Sequence, residues 1–365
     1  MKHLVLVGGG HAHLQVLRDF ARAPLPAARV TLVSPHPSLV YSGMVPGLVA
    51  GHYRFDECTV ALAPWVRAAQ AAFAQASATS LDAAARRLTL AGGGTLDYDA
   101  LSLDTGGVLD REAIAGAREH ALFVRPIEHF ARLAEDLFAT APRRQPHVVM
   151  VGGGAAGVEL AMALQHRLAG AGRVSLVTGG PPPLGGYPAP LQRRARRALR
   201  RRGVTLFERA CMRVEPGHVL LDGDGGRLAC DAVVVATGSV APPWLAGSGL
   251  ARDAEGFVAT GPTLQSASHP EVFAAGDVAS RPDAPRPRSG VHAVRAGPPL
   301  ALNLRRFMGG GALERYTPRV RTLNLVSCGD RHAIASWGAW SAEGRWVWWW
   351  KDRIDRRFVR AFAAQ

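Results

Sequence analysis

An α/β fold laid down twice is what this 365-residue sequence predicts, and three observations predict it. An apolar strand running into three glycines and then helix-forming residues occurs as LVLVGGGHAHLQVL at residues 4–17 and again as HVVMVGGGAAGVELAMAL at residues 147–164. A second apolar strand follows each copy, at Val30 to Val33 and Val174 to Val177, so that Gly8 and Ser34 stand 26 positions apart, as do Gly152 and Thr178. Each copy later meets a strand ending in Thr-Gly, LSLDTGG (101–107) and VVVATGS (233–239). Three landmarks in one order, two of them in one register, mark a duplicated strand-helix-strand unit.

The glycine pattern has a physical meaning at each place. Gly8 and Gly152 permit the tight turn from strand to helix, while Gly10 and Gly154 let the backbone come close to a pyrophosphate. The third position lets the helix pack closely on the strand, and Gly157 fills it in the second copy. The unpaired N–H groups at the start of the helix then point at the phosphates, helped by the helix dipole. His13 stands at the third position of the first copy, so that helix is expected to sit further out with its phosphate cradle intact. Each unit is therefore expected to bind a dinucleotide.

An acidic residue normally ends the second strand and binds the adenosine ribose. Ser34 and Thr178 stand there instead. No carboxylate opposes a 2′-phosphate at Thr178, and no arginine in TGGPPPLGG receives one, so NADH and NADPH both remain open with a slight lean to NADH.

The expected architecture is two Rossmann-like domains, each a parallel sheet with helices on both faces and its ligand at the carboxyl-end crevice. The first is discontinuous, 1–124 and 245–315, with the second, 125–244, inserted through FVRPIEHFARLAEDLF (123–138) and APRRQP (141–146). A small α+β region is expected over 316–365.

Composition bounds the rest. Hydrophobic residues make up 48% of the chain, enough for more than one core. Net charge is +14, but lysine occurs only at Lys2 and Lys351, and no alternation of aromatic and basic residues suits an RNA partner. Nucleic acid is not expected. Cys58, Cys211, Cys230 and Cys328 form no C-x-x-C or zinc spacing, and no metal site is expected; His11 and His13, two apart on a helix, point away from each other. No apolar run approaches the ~20 residues of a membrane span, and no leader is visible. The expected location is cytoplasmic, with attachment to the membrane face as the variant.

The order of glycine loop, Thr-Gly strand, second glycine loop, Thr-Gly strand and then HPEVFAAGDVAS (269–280) resembles the pyridine nucleotide-disulfide oxidoreductase superfamily over nearly the whole chain. Within it, GGGHAHL (8–14), YSGMVPGLVAGHY (41–53), GVHAVRAGPPLALNL (290–304) and WKDRIDRRFV (350–359) resemble the type II NADH dehydrogenase-like branch, closest to flavoproteins sometimes fused to selenide, water dikinase. In that group the histidine after GGGHA belongs to the pattern. The resemblance implies FAD in the first site and NAD(P)H in the second. FAD would meet Gly8, Gly10, His11 and Ala12 at its pyrophosphate, Ser34 and Pro35 at the adenosine end, and Thr105 and Gly106 nearby. Gly276 and Asp277 would hold the ribityl and phosphate portion; the stretches Tyr41 to Pro46, with Ser42 and Pro46, and Gly290 to Ala293, with Gly290, Val291 and Ala293, would flank the isoalloxazine. The nicotinamide nucleotide would use Gly152, Gly154, Ala156, Gly157, Thr178 and Gly238, with Glu159 at the nicotinamide and flavin edge as the candidate catalytic residue.

The implied activity is hydride passage from NAD(P)H to FAD and on to a small acceptor, quinone first. Relatives that relay electrons through cysteines keep them beside the flavin; here those segments offer only Cys58 and Cys328, which points away from a redox disulfide. Reduction of a ferredoxin-type partner, or a flavin-bound sensor linked to selenium metabolism, are the alternatives. In GRWVWWWKDRIDRRFVRAF, Val347, Trp350, Ile354, Phe358 and Ala361 recur at helical spacing with arginines mostly elsewhere. That stripe is expected to pack on the chain's own core or on a second subunit, giving a homodimer, in preference to lying in anionic headgroups. LQRRARRALRRRG (191–203) reads as a solvated surface helix with Leu191, Ala195 and Leu199 turned inward.

Overall fold

A computed structural model describes residues 1–127, 130, 145–224, 226–319 and 321–363. Most of FVRPIEHFARLAEDLF and APRRQP, the expected entry to the second unit, lies outside the described residues. Among the described residues the five longest helices are α1 (His11–Arg22), α2 (Ala155–Leu168), α3 (Ala189–Arg201), α4 (Gly290–Gly309) and α5 (Arg345–Arg360).

Both duplicated units form five-stranded, all-parallel sheets. The first has the order Val272–Ala274, Ala100–Leu103, Lys2–Val7, Ala28–Val33, Ala72–Ala74. The second runs Leu122–Phe123, Ala232–Val235, His147–Val151, Arg173–Val177, Thr205–Phe207. The arrangements match except for the source of one outer strand, which comes from downstream in the first sheet and from upstream in the second. That difference puts Leu122–Phe123, counted above with the first segment, in the second sheet.

Alternation along the strands explains why each sheet is covered on both faces. Leu4 and Leu6 pack toward α1 and α4, while Val5 and Val7 pack toward a small antiparallel sheet of Ala78–Asp82, Arg87–Leu90 and Thr95–Asp97. In the second unit Val148 and Met150 face α2 and α3, and Val149 and Val151 face the equivalent small sheet, Cys211–Glu215, His218–Leu221 and Arg227–Ala229. Apolar residues on both faces are what a fully buried parallel strand requires.

The duplication extends to a histidine at the foot of each central strand. His3 places Nδ1 2.7 Å from Asp97 O and Nε2 2.9 Å from Thr31 Oγ1, and its backbone N–H meets Asp99 at 2.6 Å. His147 repeats this with Ala229 O at 2.6 Å, Ser175 Oγ at 2.9 Å and Asp231 at 2.7 Å. Each ring closes the sheet end opposite the glycine loop, and burial holds both below the usual imidazole pKa.

The third unit is a three-stranded antiparallel sheet, Asn324–Ser327, Ala333–Trp337 and Trp340–Gly344, followed by α5. α5 corrects the expected stripe. The buried residues are Val347, Trp348, Lys351 and Asp355, whereas Trp350 and Ile354 are each 38% exposed. The helix is rotated because Lys351 and Asp355 form an ion pair of 2.6 Å one turn apart, and the ammonium also donates to Gly43 O at 2.5 Å. A pair whose charges and hydrogen bonds are mutually satisfied can be buried, and here it takes the place of apolar side chains. α3 buries Leu191, Ala195 and Leu199 as expected, but it is not a wholly solvated helix: Arg194 donates to Ser341 Oγ at 3.0 Å and Arg201 to Glu343 at 3.1 Å, so the third unit covers part of it.

Candidate active site

The first glycine loop is built around Gly8, whose φ of +97° an L side chain rarely adopts, and a Cβ there would collide with the backbone of Asp104. Gly152 has φ +134° and the same relation to Ala236. At the third position the copies diverge. A Cβ on Gly157 would run into Gly152 O, so the second helix packs as closely as glycine allows. In the first copy the buried ring of His13 reaches the equivalent carbonyl instead: Nδ1–H donates to Gly8 O at 2.6 Å, and Nε2 accepts from Ser102 Oγ at 2.8 Å. Burial lowers its pKa to about 4, so the neutral ring makes both bonds at neutral pH.

A cavity of about 560 Å³ opens above the first loop, within the ~300–1,000 Å³ of cofactor clefts. It brings together Gly8, Gly10, His11, Ser34, Pro35, Ser42, Thr105, Gly106, Asp277, Gly290 and Ala293. Ala12, Pro46, Gly276 and Val291 do not line it. Ala12 is turned away because its N–H is donated to Asp104 Oδ2 at 2.7 Å; Pro46 is buried in the short helix Val45–Val49, and Val291 is exposed. Gly276 lines a neighbouring cavity of about 370 Å³. The Ser34 hydroxyl donates to His36 O at 3.0 Å, leaving it only acceptor capacity. Arg125 also lines the cavity, donating to Gly107 O at 3.2 Å and standing 3.5 Å from Asp277 Oδ2. The Nε2 atom of His11 is buried without a partner.

The second loop is more open. A Cβ on Gly154 or Gly238 would meet nothing within 4 Å, and Ala156 is exposed. The buried Thr178 Oγ1 has no partner. Orphaned polar atoms at both loops, with glycines clearing the space before them, are the features a bound dinucleotide would satisfy.

Between the two loops lies a cluster assembled from distant segments. Glu159, in the second turn of α2, accepts the N–H of Ser327 at 2.7 Å. Burial pushes its carboxyl up to about 7, opposed by the Lys351 ammonium and the Ser327 bond and reinforced by Asp355. Asp355 accepts from the Tyr41 hydroxyl as well as from Lys351. Tyr41 stacks on Phe358 with centroids 4.4 Å apart, and His11 sits 5.5 Å from Tyr41 and 5.8 Å from Phe358. Around the rim, Tyr53 donates to Asp352 at 2.7 Å, and Arg356 bridges Asp352 and Glu57, each at 2.9 Å. All four cysteines are free thiols, with burial raising Cys58 and Cys328 to about 12. Among the described residues no group of three or more His, Cys, Asp or Glu side chains could hold a metal ion.

Sequence reasoning named Tyr41 and Glu159 but missed Lys351, Asp355, Asp104 and Arg125. Lys351 had a signal, as one of two lysines in a chain otherwise using arginine. Asp355 and Arg125 had none, and Asp104, though it stands in the repeated Thr-Gly strand, is matched by Ala236 in the other copy, so the repeat did not single it out.

The family model for pyridine nucleotide-disulphide oxidoreductases matches residues 2–297. The chain belongs to that family. An NADH dehydrogenase-like protein of Mycobacterium tuberculosis is 30% identical over 301 residues, covering 77% of this chain and 73% of that one. A demethylphylloquinone reductase of Synechocystis is 26% identical over 221 residues, 58% of this chain and 55% of the other. The sulfide:quinone oxidoreductase structure from Aquifex aeolicus superposes with a TM-score of 0.83 at 21% identity, covering 100% of this chain and 92% of that one. As a member of the pyridine nucleotide-disulphide oxidoreductase family, on its NADH dehydrogenase-like branch, the protein is an FAD-dependent oxidoreductase that uses NAD(P)H.

Proposed function

We propose that the protein passes reducing equivalents from NAD(P)H through FAD to a quinone-like acceptor, without a redox-active disulfide. The observation that carries this reading is the cluster of Glu159, Lys351, Asp355 and Tyr41 between the two loops. A quinone takes up two protons with its two electrons, one more than a hydride brings, so its reduction calls for proton-holding groups where a disulfide route calls for a cysteine pair. Two similar proteins are named for quinones.

FAD would be held by the first loop through Gly8, Gly10 and His11, by Ser34 and Pro35 at the adenosine end, by Thr105 and Gly106, and by Asp277 at the ribityl chain. Ser42, Gly290 and Ala293 would border its ring system; Ala12, Pro46, Gly276 and Val291 would act at one remove. When bound, the cofactor supplies the hydride and electron chemistry that no side chain offers. The nicotinamide nucleotide would use Gly152, Gly154, Ala156, Gly157, Thr178 and Gly238. NADH is the favoured reductant, because Arg209 beside Gly179 is already paired with Asp222 at 3.4 Å. Glu159, titrating near neutrality, would hold a proton on its carboxyl and be reloaded from water. Lys351 would hold its proton on Nζ throughout, its ammonium favouring negative charge nearby, with Asp355 and Tyr41 fixing its position. The domain division that accompanies this reading is 1–121 with 245–315, 122–244, and 316–365, the first boundary moved from 124 so that Leu122–Phe123 goes with the second sheet.

The protein would act at the cytoplasmic membrane face. No described helix is long and apolar enough to cross a membrane. The outer side of α5 carries Trp346, Trp349 and Trp350 beside Arg353 and Arg357, and the nearby hairpin adds exposed Trp337 and Trp340. Indole rings beside arginines suit the interface of an anionic bilayer.

The test is anaerobic stopped-flow reduction of the FAD-loaded protein by NADH and by NADPH, then mixing with a short-chain quinone or a ferredoxin-type protein. Rapid flavin bleaching by a nucleotide and recovery with quinone alone support the reading. Recovery only with the carrier protein, or no bleaching by either nucleotide, overturns it.

A further inference from the structure

The two glycine loops differ at a residue outside both motifs. After the strand Ala232–Val235 comes Ala236, whose N–H meets Val151 O at 2.8 Å; at the equivalent place in the first unit stands Asp104, whose N–H meets Val7 O at 2.9 Å. Ala236 has no polar side chain to offer α2. Asp104 is buried, and its Oδ2 accepts the N–H of Ala12 at 2.7 Å and of His13 at 2.9 Å, two first-turn donors of α1. A Cβ on Gly10 would stand 2.5 Å from that oxygen, and a Cβ on Gly276 would stand 2.6 Å from Oδ1. One carboxyl thus lies against the loop that opens the domain and the turn that follows its return, 172 positions further along the chain at Gly276.

We propose that Asp104 is a positioning residue of the FAD site that takes up one proton when the cofactor binds, so that FAD affinity rises as pH falls. This rests on the assignment of the first crevice to FAD. A pyrophosphate brings negative charge to a loop that Asp104 already touches, and like charges in a buried site favour the neutral acid. Burial and the neighbouring Asp277 already hold its proton well above the usual carboxylate range, against the two N–H bonds. The other charged or titratable groups around it do not offset this. Arg125 is directed to Asp277 and Gly107 O. His11 and His13 on α1 are neutral above about pH 4, and His292 on α4 is lowered by burial. The protonated acid still accepts both α1 N–H groups through Oδ2, so the loop keeps its shape while the charge is removed.

The experiment is titration of the cofactor-free full chain with FAD from pH 6 to pH 9, for the wild type and for Asp104→Asn, the shape of the protonated acid. Calorimetry in buffers of different ionisation enthalpy counts the protons. The expected result is a wild-type affinity that weakens by up to about tenfold per pH unit where Asp104 ionises in the free protein, with one proton taken up per FAD. The Asn variant should show a flat profile and no uptake through this group. Equal pH slopes in the two proteins, or wild-type binding without proton uptake, overturn the proposal; a merely structural cap would give that result. If the Asn variant does not fold, the count is repeated on His11→Phe: one proton still taken up per FAD keeps the assignment to Asp104, and loss of the uptake overturns it. Failure of the wild type to bind FAD at any pH would instead overturn the cofactor assignment itself.

Discussion

Replacing Glu159 by Gln should change how stability depends on pH, and the size of the change follows from the site. The side chain is half-buried with its carboxyl against Ser327 N–H, and burial raises it from 4.5 to about 7. An acid with a higher pKa folded than unfolded holds its proton more tightly in the folded state. Its contribution is therefore fully present below pH 4.5, declines as pH rises from 4.5 to 7, and is constant above. At about 1.4 kcal/mol per pH unit the whole decline is roughly 3 kcal/mol, of which 2 to 3 kcal/mol falls between pH 5 and pH 8. Glutamine keeps the acceptor for Ser327 N–H and has no charge to bury. Urea unfolding of wild type and Glu159→Gln at pH 5, 6, 7 and 8, at one fixed FAD concentration, should show the variant gaining that amount on the wild type. Stability curves that run parallel would mean that Glu159 ionises as an ordinary surface carboxylate, and its assignment as the proton-holding group would fail.

Three further outcomes follow from named contacts. Lys351→Met leaves Asp355 buried with only Tyr41 as partner and should cost about 3–5 kcal/mol in chemical denaturation, with the added change Asp355→Asn recovering a good part of it. Gly157→Ala puts a methyl group against Gly152 O, which should raise the KM for NADH by about tenfold or more while FAD stays bound, since a misplaced cradle costs orientation; an unchanged KM contradicts the packing described for α2. Trp346→Ser with Trp349→Ser removes exposed indoles without touching the core, so flotation with anionic vesicles should fall several-fold at unchanged thermal stability. If the wild type ignores vesicles and elutes as a dimer that the changes dissociate, the aromatic face is a subunit contact.

The duplicated units were legible in the sequence because their constraints are local and severe. Gly8, Gly10, Gly152, Gly154 and Gly157 are required by backbone geometry, and Leu4 to Val7 or Val148 to Val151 read as buried strands wherever they stand. The paired histidines at positions 3 and 147 were equally repeated but carry no motif, since their partners come from separate strands. The small antiparallel sheet in each unit was missed because its strands are short and weakly alternating. α5 went wrong for a definite reason. Helical-stripe reasoning assumes that the apolar side faces inward, whereas the Lys351–Asp355 pair is satisfied well enough to be buried while Trp350 and Ile354 face out. Asp104 was hidden by its neighbours, because a lone acid before Thr-Gly looks like any strand end until Gly10 and Gly276 are brought against it.

The central claim is that electrons leave the flavin directly for a diffusible acceptor. The most direct measurement is single-turnover flavin reoxidation by quinone in a variant with Cys58, Cys211, Cys230 and Cys328 all changed to Ala, after anaerobic reduction by NADH. The account predicts reoxidation at the wild-type rate, within a factor of about two. A reduced flavin that quinone no longer reoxidises, in a variant that still folds, binds FAD and is bleached by NADH, would contradict it.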